Sequence, residues 1–362
     1  MVVNGDDIKV LSVGCAAPPN RYDQGELLEA FAQYWSAQHH NVERVARLHR
    51  AVQVSGRNLA LPIDAYPELT GFGAVSKVYA QVGLDVAAEA VLDALQRAGL
   101  TPQDVDVLYF TTVTGVGVPS LDARLIGRIG MRPDVRRVPM FGLGCVGGAA
   151  GLARLREAMT AHPKGVGLLL SVELCSLTLQ REDLSIANLI SSGLFGDGAA
   201  CVVVAGAEHP LAREEGGPWV LDSTSQLYPD SEDVMGWDVT DNGFRVVLSA
   251  DVPKVVREHL AGDVDAFLAT HDLERSDIAR WVCHPGGPAV MTAFEDALAL
   301  PDGALEITRR SLRDHGNMSS ASVLWVLRDT MQEASPPPGS YGLLLAMGPG
   351  FCSELVLLRW RE

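Results

Sequence analysis

The sequence has few basic residues relative to its acidic ones, and this limits the partners it can bind. Its 362 residues include 29 Lys and Arg against 45 Asp and Glu, which gives a formal net charge of -16. A strongly acidic surface is repelled by nucleic acids and by anionic membranes. We therefore expect neither of these as a partner.

The chain also lacks the patterns of metal sites, disulfide frameworks and membrane segments. Its six cysteines are scattered, with no Cys-x-x-Cys pair, so we expect neither a metal site nor disulfides. No apolar run reaches the roughly 18 residues that a membrane span needs. No basic and apolar targeting segment opens the sequence. We expect a cytoplasmic protein with reduced cysteines and no membrane span.

One glycine-rich stretch, FGLGCVGGAA at 141–150, carries the first candidate for chemistry, Cys145. Apolar residues with helical spacing follow it, which predicts a helix that begins at or just after the cysteine. A thiol at a helix N-terminus is favoured as thiolate, and the glycines allow a close approach of substrate or backbone. The alternative is a structural cysteine buried in a packing turn.

The chain alternates predicted strands and helices, and its second half repeats the first. The strands are predicted at 8–17, 105–112, 166–172 and 194–204, and an amphipathic helix at 84–98 ends before a glycine. Residues 100–112 align with 273–285 at an offset of 173, and residues from Gly144 align with those from Gly316 at an offset of 172. The alternative is chance similarity between generic strand and helix patterns. The near-constant offset favours a duplicated α/β core.

The duplication brings three chemically useful residues together. The alignment pairs Cys145 with Asn317 at matching helix starts, and it pairs His284 with Thr111 at matching strand ends. In a pseudo-twofold core these ends converge on one cleft. Cys145 then serves as the nucleophile, held as a thiolate by the His284 imidazolium, and Asn317 donates hydrogen bonds to a developing oxyanion or enolate. Taken singly, His284 also fits a buried structural histidine, and Asn317 a helix N-cap.

A basic cluster at 42–57 stands out in this acidic chain. It contains Arg44, Arg47, His49, Arg50 and Arg57. The pattern is typical of a solvated helix face, and the alternative is a cradle for a phosphate-bearing ligand.

Five motifs resemble those of one known family, in the family's order. GLGCVGGAAGL, LFGDGAA, WVCHPGGP, HGNMSSAS and MGPGFCSELVLLRW are similar to type III polyketide synthases, the chalcone-synthase-like branch of the thiolase fold. The resemblance implies a duplicated, five-layered αβαβα thiolase fold, a homodimer, and CoA thioesters as substrates without a metal or organic cofactor. It places the Cys-His-Asn triad on Cys145, His284 and Asn317. We expect an N-terminal half at 1–206, a linker at 207–218 and a C-terminal half at 219–362.

The resemblance also assigns the substrate pocket. One gatekeeping phenylalanine falls on Phe195, and the second is replaced by Val246, which suggests a wider cavity. The position that reaches into the partner subunit's site in plant enzymes is Val118. The remaining cavity-lining positions are Thr114, Cys175, Thr178 and Ser319. Arg50 and Arg57 become the expected contacts for CoA phosphates.

Finer motifs are similar to bacterial alkylpyrone and alkylresorcinol synthases. These include RRVPMFGLGC, SVELCSLT and YPDSEDVMGWDV. They imply a fatty acyl-CoA starter, extension by malonyl-CoA two or three times, and cyclisation to an alkylpyrone or alkylresorcinol. Methylmalonyl-CoA stays open as an extender. A ketoacyl-carrier-protein synthase, a Cys-His-Asn hydrolase and a non-catalytic acyl-CoA binder are the alternatives.

Overall fold

A computed structural model describes residues 7–36 and 42–361. Residues 1–6, 37–41 and 362, which belong to the two expected halves, lie outside the described residues. Within these ranges, no helix combines the length and the apolar character that a bilayer crossing requires.

Thirteen strands and ten α-helices are present in the described ranges. The strands are β1 (Ile8–Ala16), β2 (Asn20–Asp23), β3 (Gly56–Leu59), β4 (Val107–Thr112), β5 (Arg136–Phe141), β6 (Val166–Leu174), β7 (Asp197–Gly206), β8 (Pro218–Leu227), β9 (Met235–Thr240), β10 (Gly243–Leu248), β11 (Ile278–Cys283), β12 (Tyr341–Gly348) and β13 (Cys352–Trp360). The helices are α1 (Gln24–Ser36), α2 (Val42–Ala51), α3 (Gly71–Arg97), α4 (Leu121–Ile129), α5 (Gly147–Met159), α6 (Ile186–Leu194), α7 (Val252–Ala269), α8 (Pro288–Leu298), α9 (Glu306–His315) and α10 (Ser322–Glu333).

The order of the strands shows the duplication directly. Nine strands follow one another as β11-β12-β13-β8-β1-β7-β6-β4-β5. The central pair, β1 and β8, meets through only two residue pairs, Ile8 with Val220 and Lys9 with Trp219. On either side of this junction the order is mirrored, because β8, β13, β12 and β11 match β1, β7, β6 and β4. The two halves are therefore related by a pseudo-twofold axis between β1 and β8.

The helices form three layers around these two half-sheets. Helices α5 and α10 lie in the middle, where Leu152 and Leu324 share one core with strand residues of both halves. Helix α3 covers one outer face, and α7 and α8 cover the other. Strand β6 is buried on both faces along its full length, which explains why it is apolar except for Ser171 and Glu173. This is the αβαβα thiolase arrangement expected from the sequence.

The structure shifts the correspondence between the halves by a few residues. A 3₁₀ turn precedes each central helix, Gly144–Val146 before α5 and Ser319–Ala321 before α10. Both turns begin at a residue with positive φ, +56° at Gly144 and +46° at Ser319. The counterpart of Cys145 is therefore Ser320, not Asn317, and Asn317 lies in a longer loop before the turn. His284 is the first residue after β11, and Val113 is the first residue after β4. The counterpart of His284 is therefore Val113, two residues after the expected Thr111.

Candidate active site

Cys145 lies in the turn before α5, as expected, and the surrounding glycines permit close backbone contact. A Cβ atom at Gly144 would come within 2.6 Å of Pro349, and one at Gly148 within 2.3 Å of the carbonyl oxygen of Ser320. The glycines therefore let α5 approach the second half of the molecule. Cys145 itself is 7% exposed. Its Sγ lies 3.8 Å from the Ser319 hydroxyl, a weak hydrogen bond.

His284 and Asn317 line the same cavity as Cys145. The backbone N–H of His284 donates to Leu345 of β12 at 2.8 Å, which fixes the residue after its strand. Within the described part of the chain, neither imidazole nitrogen has a hydrogen-bond partner. Both nitrogens are therefore left for the thiol or a substrate.

The Asn317 amide is oriented by its own loop. Its Oδ1 accepts the backbone N–H of Ser319 at 2.8 Å, which leaves the Nδ2 group as the donor toward Gly286 at 3.4 Å. Its backbone is tied to the loop of Phe195, because its N–H donates to Leu194 at 2.9 Å and its carbonyl accepts from Gly196 at 3.0 Å. The structure therefore presents a fixed, non-titrating donor at the cavity.

Burial controls the protonation of the thiol and the imidazole. It raises the pKa of Cys145 to about 12, an effect that the nearby Glu173 charge reinforces and the Ser319 hydrogen bond opposes. It lowers the pKa of His284 to about 3. Both shifts favour the neutral thiol and the neutral imidazole. The N-terminus of α5 acts on the thiol in the opposite direction and favours the thiolate expected from the sequence.

Glu173 is a residue that sequence reasoning did not assign to the site. Its carboxylate is fully buried at the end of β6 and accepts hydrogen bonds from the hydroxyls of Thr112, Thr114 and Ser320 and from the backbone N–H of Val113. Burial raises its pKa to about 7 despite these donors. A charged residue inside a largely apolar strand was the indication in the sequence.

A second, inner chamber adjoins the cavity of Cys145. Cys175, Phe195, Trp237 and Val246 line both spaces and so form the boundary between them. Trp237 on β9 pairs directly with Val246 on β10, and its ring lies 6.2 Å from that of Phe195. The aromatic group missing at position 246 is thus replaced from the neighbouring strand. Sequence reasoning missed Trp237, since its pairing with Val246 depends on the hairpin register.

The other four expected pocket residues lie in four different places. Ser319 lines the cavity of Cys145, and Thr178 lines the inner chamber. Thr114 is fully buried, and its hydroxyl is used by Glu173 and by the N–H of Leu174 at 2.9 Å, so it acts as a tether behind the site. Val118 is fully exposed at the edge of the molecule, in a groove next to β5.

The two expected CoA contacts differ in accessibility. Arg50 lies on the exposed side of α2. Arg57 is 1% exposed, and its guanidinium donates to the carbonyls of Ser192 and Gly193. The expectation that Arg57 meets a CoA phosphate is therefore corrected, because the side chain is buried and both terminal nitrogens donate inside the protein.

The comparisons with known proteins agree with this architecture. Residues 2–209 match the N-terminal domain of chalcone and stilbene synthases, and residues 220–360 match the C-terminal domain. A 1,3,6,8-tetrahydroxynaphthalene synthase from Streptomyces peucetius is 54% identical over 97% of this chain and 93% of its own. A protein of Bacillus subtilis described as a putative chalcone synthase is 37% identical over 98% of this chain and 99% of its own.

A solved structure supports the same assignment. The 1,3,6,8-tetrahydroxynaphthalene synthase of Streptomyces coelicolor superimposes with a TM-score of 0.91 at 30% identity, covering 98% of this chain and 99% of that one. Its description calls it a bacterial type III polyketide synthase. The chain therefore belongs to the chalcone and stilbene synthase family and is a type III polyketide synthase, a condensing enzyme that transfers acyl groups.

Proposed function

We propose that Cys145, His284 and Asn317 form the catalytic triad of this enzyme. The observation that carries the proposal is that all three line one cavity and that both His284 nitrogens are left for it. As the Cys145 sulfur attacks the thioester carbonyl of a CoA substrate, His284 takes the thiol proton. It then passes this proton to the departing CoA sulfur. Burial lowers the pKa of His284, and the neutral imidazole that this favours can accept the thiol proton.

The extension step uses the same groups in another order. Malonyl-CoA loses CO₂, and the resulting enolate oxygen is stabilised by N–H donors from His284 and Asn317. The enolate carbon attacks the acyl group on Cys145, forming a carbon–carbon bond and releasing the cysteine sulfur. The lengthened chain, now on CoA, returns to Cys145 for the next round. None of these steps needs a metal or an organic cofactor.

Malonyl-CoA as both starter and extender is the first candidate for the substrates. It is supported by the relative at 54% identity, whose name gives 1,3,6,8-tetrahydroxynaphthalene as the product. The ten carbons of that skeleton correspond to five two-carbon units, each left by one decarboxylated malonyl group. A small, repeated unit also suits a catalytic cavity that Phe195 and Trp237 close from the inner chamber.

A fatty acyl-CoA starter that yields an alkylpyrone or alkylresorcinol is the second candidate. The observation that favours it is the inner chamber, whose walls include Phe31, Leu59, Ile63 and Leu179. An apolar tail from Cys145 would enter this chamber between Trp237 and Val246.

One experiment separates the two candidates. The purified protein is incubated with malonyl-CoA alone and with malonyl-CoA plus a ladder of acyl-CoAs, without carrier protein, and the products are identified by mass. We expect an aromatic pentaketide from malonyl-CoA alone, and Cys145→Ala as the control should give no product. If the protein forms an alkylated product in preference to the aromatic pentaketide, the second candidate is favoured. Strict dependence on a carrier protein, or an active Cys145→Ala, would refute the triad proposal.

We also propose that two surface features serve substrate binding and assembly. Arg50 is the proposed CoA phosphate contact. It is an exposed cation on α2, and α2 packs against α6 just before Phe195.

A homodimer is proposed through β5, the last strand of the sheet. Val118 near this strand and Phe141 at its end are both exposed. Sedimentation of the protein and of Val118→Asp tests the dimer. A monomeric wild type would refute it.

A further inference from the structure

The end of helix α6 lies directly before Phe195 and is held by the side chains of Arg57 and Gln24. The last carbonyls of a helix have no partner within the helix. Here the carbonyls of Ser192 and Gly193 both accept from the Arg57 guanidinium, and Gly193 also accepts from the Gln24 amide at 2.9 Å. A positive charge at this end also matches the helix dipole. Arg57 therefore caps α6 one residue before the Phe195 loop begins.

The stem of Arg57 reaches the place where the Phe195 and Asn317 loops cross. A Cβ atom at Gly196 would lie 3.3 Å from the Arg57 Cβ, and one at Gly316 would lie 3.6 Å from the Arg57 Cδ. These two glycines flank the paired backbone of Phe195 and Asn317. Arg57 thus contacts both loops at the point where they are joined by hydrogen bonds.

The other two triad residues are held by different contacts. Cys145 sits in the turn that packs on Pro349, and His284 is hydrogen-bonded to Leu345 of β12. Arg57 is fixed on β3, where its backbone pairs with Tyr22 of β2, and its charge faces the Asp197 carboxylate at the start of β7. A change at Arg57 will therefore move the Phe195 and Asn317 side of the cavity before it moves the thiol or the imidazole.

We propose that Arg57 is a positioning residue that sets Phe195 and Asn317 relative to Cys145, and that it controls malonyl decarboxylation more than acyl loading. The proposal rests on the proposed function, because that function assigns the enolate to Asn317 and the acyl group to Cys145. It replaces the phosphate contact expected for Arg57 with a role inside the protein.

The test separates the two half-reactions. Loading is followed as the rate of Cys145 acylation by an acyl-CoA, using intact-protein mass. Decarboxylation is followed as acetyl-CoA formation from malonyl-CoA. In Arg57→Met we expect decarboxylation to fall about 10- to 100-fold, since misplacing a reacting group by about 1 Å has effects of this size. Acylation should change by no more than about threefold, and Arg57→Lys should be intermediate, because lysine keeps the charge but lacks the planar fork.

Arg328→Met is the matched control. It removes another largely buried arginine, one that pairs with Asp329 and stacks on Trp325. It should lower stability and leave the ratio of the two rates unchanged. If Arg57→Met does not fold, Gln24→Leu removes one donor from the same carbonyl and should shift the ratio in the same direction.

The outcomes are distinguishable. If the wild type is active but the Arg57 and Gln24 variants lose loading and decarboxylation equally, the ratio of the two rates is unchanged. That result would overturn the positioning role. A wild type that neither acylates nor decarboxylates would overturn the proposed function, and this inference with it.

Discussion

The turns before α5 and α10 have the same backbone form and opposite roles. Each is a 3₁₀ turn that begins with a positive φ and leads into a central helix. In the first, Cys145 faces the cavity. In the second, its counterpart Ser320 points inward and donates to Glu173. The loop before the second turn is longer, and from it Asn317 reaches the cavity.

This difference shows how a duplicated fold acquires an asymmetric site. The backbone of the turn is kept in both halves, because α5 and α10 pack against each other and need the same close approach. The side chains are free to differ, so that the first half carries the proposed nucleophile, Cys145. The second half carries the imidazole and the amide of the proposed triad. The variants below test this division between the halves.

Removing the nucleophile or the donor should break the division in two different ways. Cys145→Ala should lower product formation by at least about 10³-fold and abolish acylation, because no other group replaces the attacking sulfur.

Asn317→Ala should leave acylation in place and lower malonyl decarboxylation by about 10²-fold, the size expected for one lost donor to an oxyanion. Both half-reactions are measured separately, with Ser320→Ala as the control at the counterpart position. Loss of acylation in Asn317→Ala would contradict the assignment.

Gly148→Ala should show how closely the two helix starts must approach. The added Cβ would meet the Ser320 carbonyl at 2.3 Å, and backbone cannot move away as a side chain can. We expect a loss of about 1–3 kcal/mol in the free energy of unfolding. The control is Gly262→Ala on α7, where nothing lies within 4 Å, and it should gain up to about 1 kcal/mol from helix propensity. Equal effects in urea unfolding would argue against the close contact.

Glu173→Gln should remove a pH dependence of folding stability. Glu173 is the residue that accepts the hydrogen bond from Ser320, the counterpart of Cys145. The folded protein holds the Glu173 proton up to a pKa of about 7, whereas an unfolded glutamate has a pKa near 4.5. The resulting stability is fully present below the unfolded value and is lost as pH rises through about 7. Between pH 5 and 8 the wild type should lose about 2 to 3 kcal/mol relative to the variant. The free energy of unfolding of both proteins is measured in urea across this pH range. The same pH dependence in the wild type and the variant would contradict a buried proton on Glu173.

Val246→Phe should give the smallest effect and concerns the boundary of the cavity. The added ring faces Trp237 and narrows the passage to the inner chamber. We expect a shift of about tenfold in kcat/KM toward shorter starters, which is the scale of a pocket contact of one to two kcal/mol. The measurement is the product profile with short and long acyl-CoAs, and Val239→Phe, exposed on the same hairpin, is the control. An unchanged profile would mean that the chamber does not receive the chain.

Much of the fold could be predicted from the sequence because it depends on local patterns. The buried strands appear as apolar runs, and the glycines around Cys145 mark a turn before a helix. The internal repeat then predicts two halves. Strand ends were placed within a few residues, but α3 begins 13 residues before the predicted helix, since its first turns are not amphipathic enough to be recognised.

The details of the site depended on contacts between distant segments. The register of β9 and β10 places Trp237 opposite Val246, and no local pattern contains that register. The burial of Arg57 under the Phe195 loop turned an expected surface cation into an internal cap. Desolvation in the assembled core favours the neutral forms of Cys145 and His284, although the helix N-terminus favours a thiolate.

The sequence by itself determined the duplicated α/β core and the residues able to act as nucleophile, base and donor, because these follow from apolar periodicity, glycine turns and side-chain chemistry. Only the tertiary structure decided that Ser320 is the counterpart of Cys145, that Trp237 lies at the boundary of the cavity, and that burial shifts the pKa values of Cys145 and His284 toward their neutral forms. Hydrophobic patterning specifies which faces are buried. The distances and the dielectric environment that govern the chemistry exist only once the two halves have packed together.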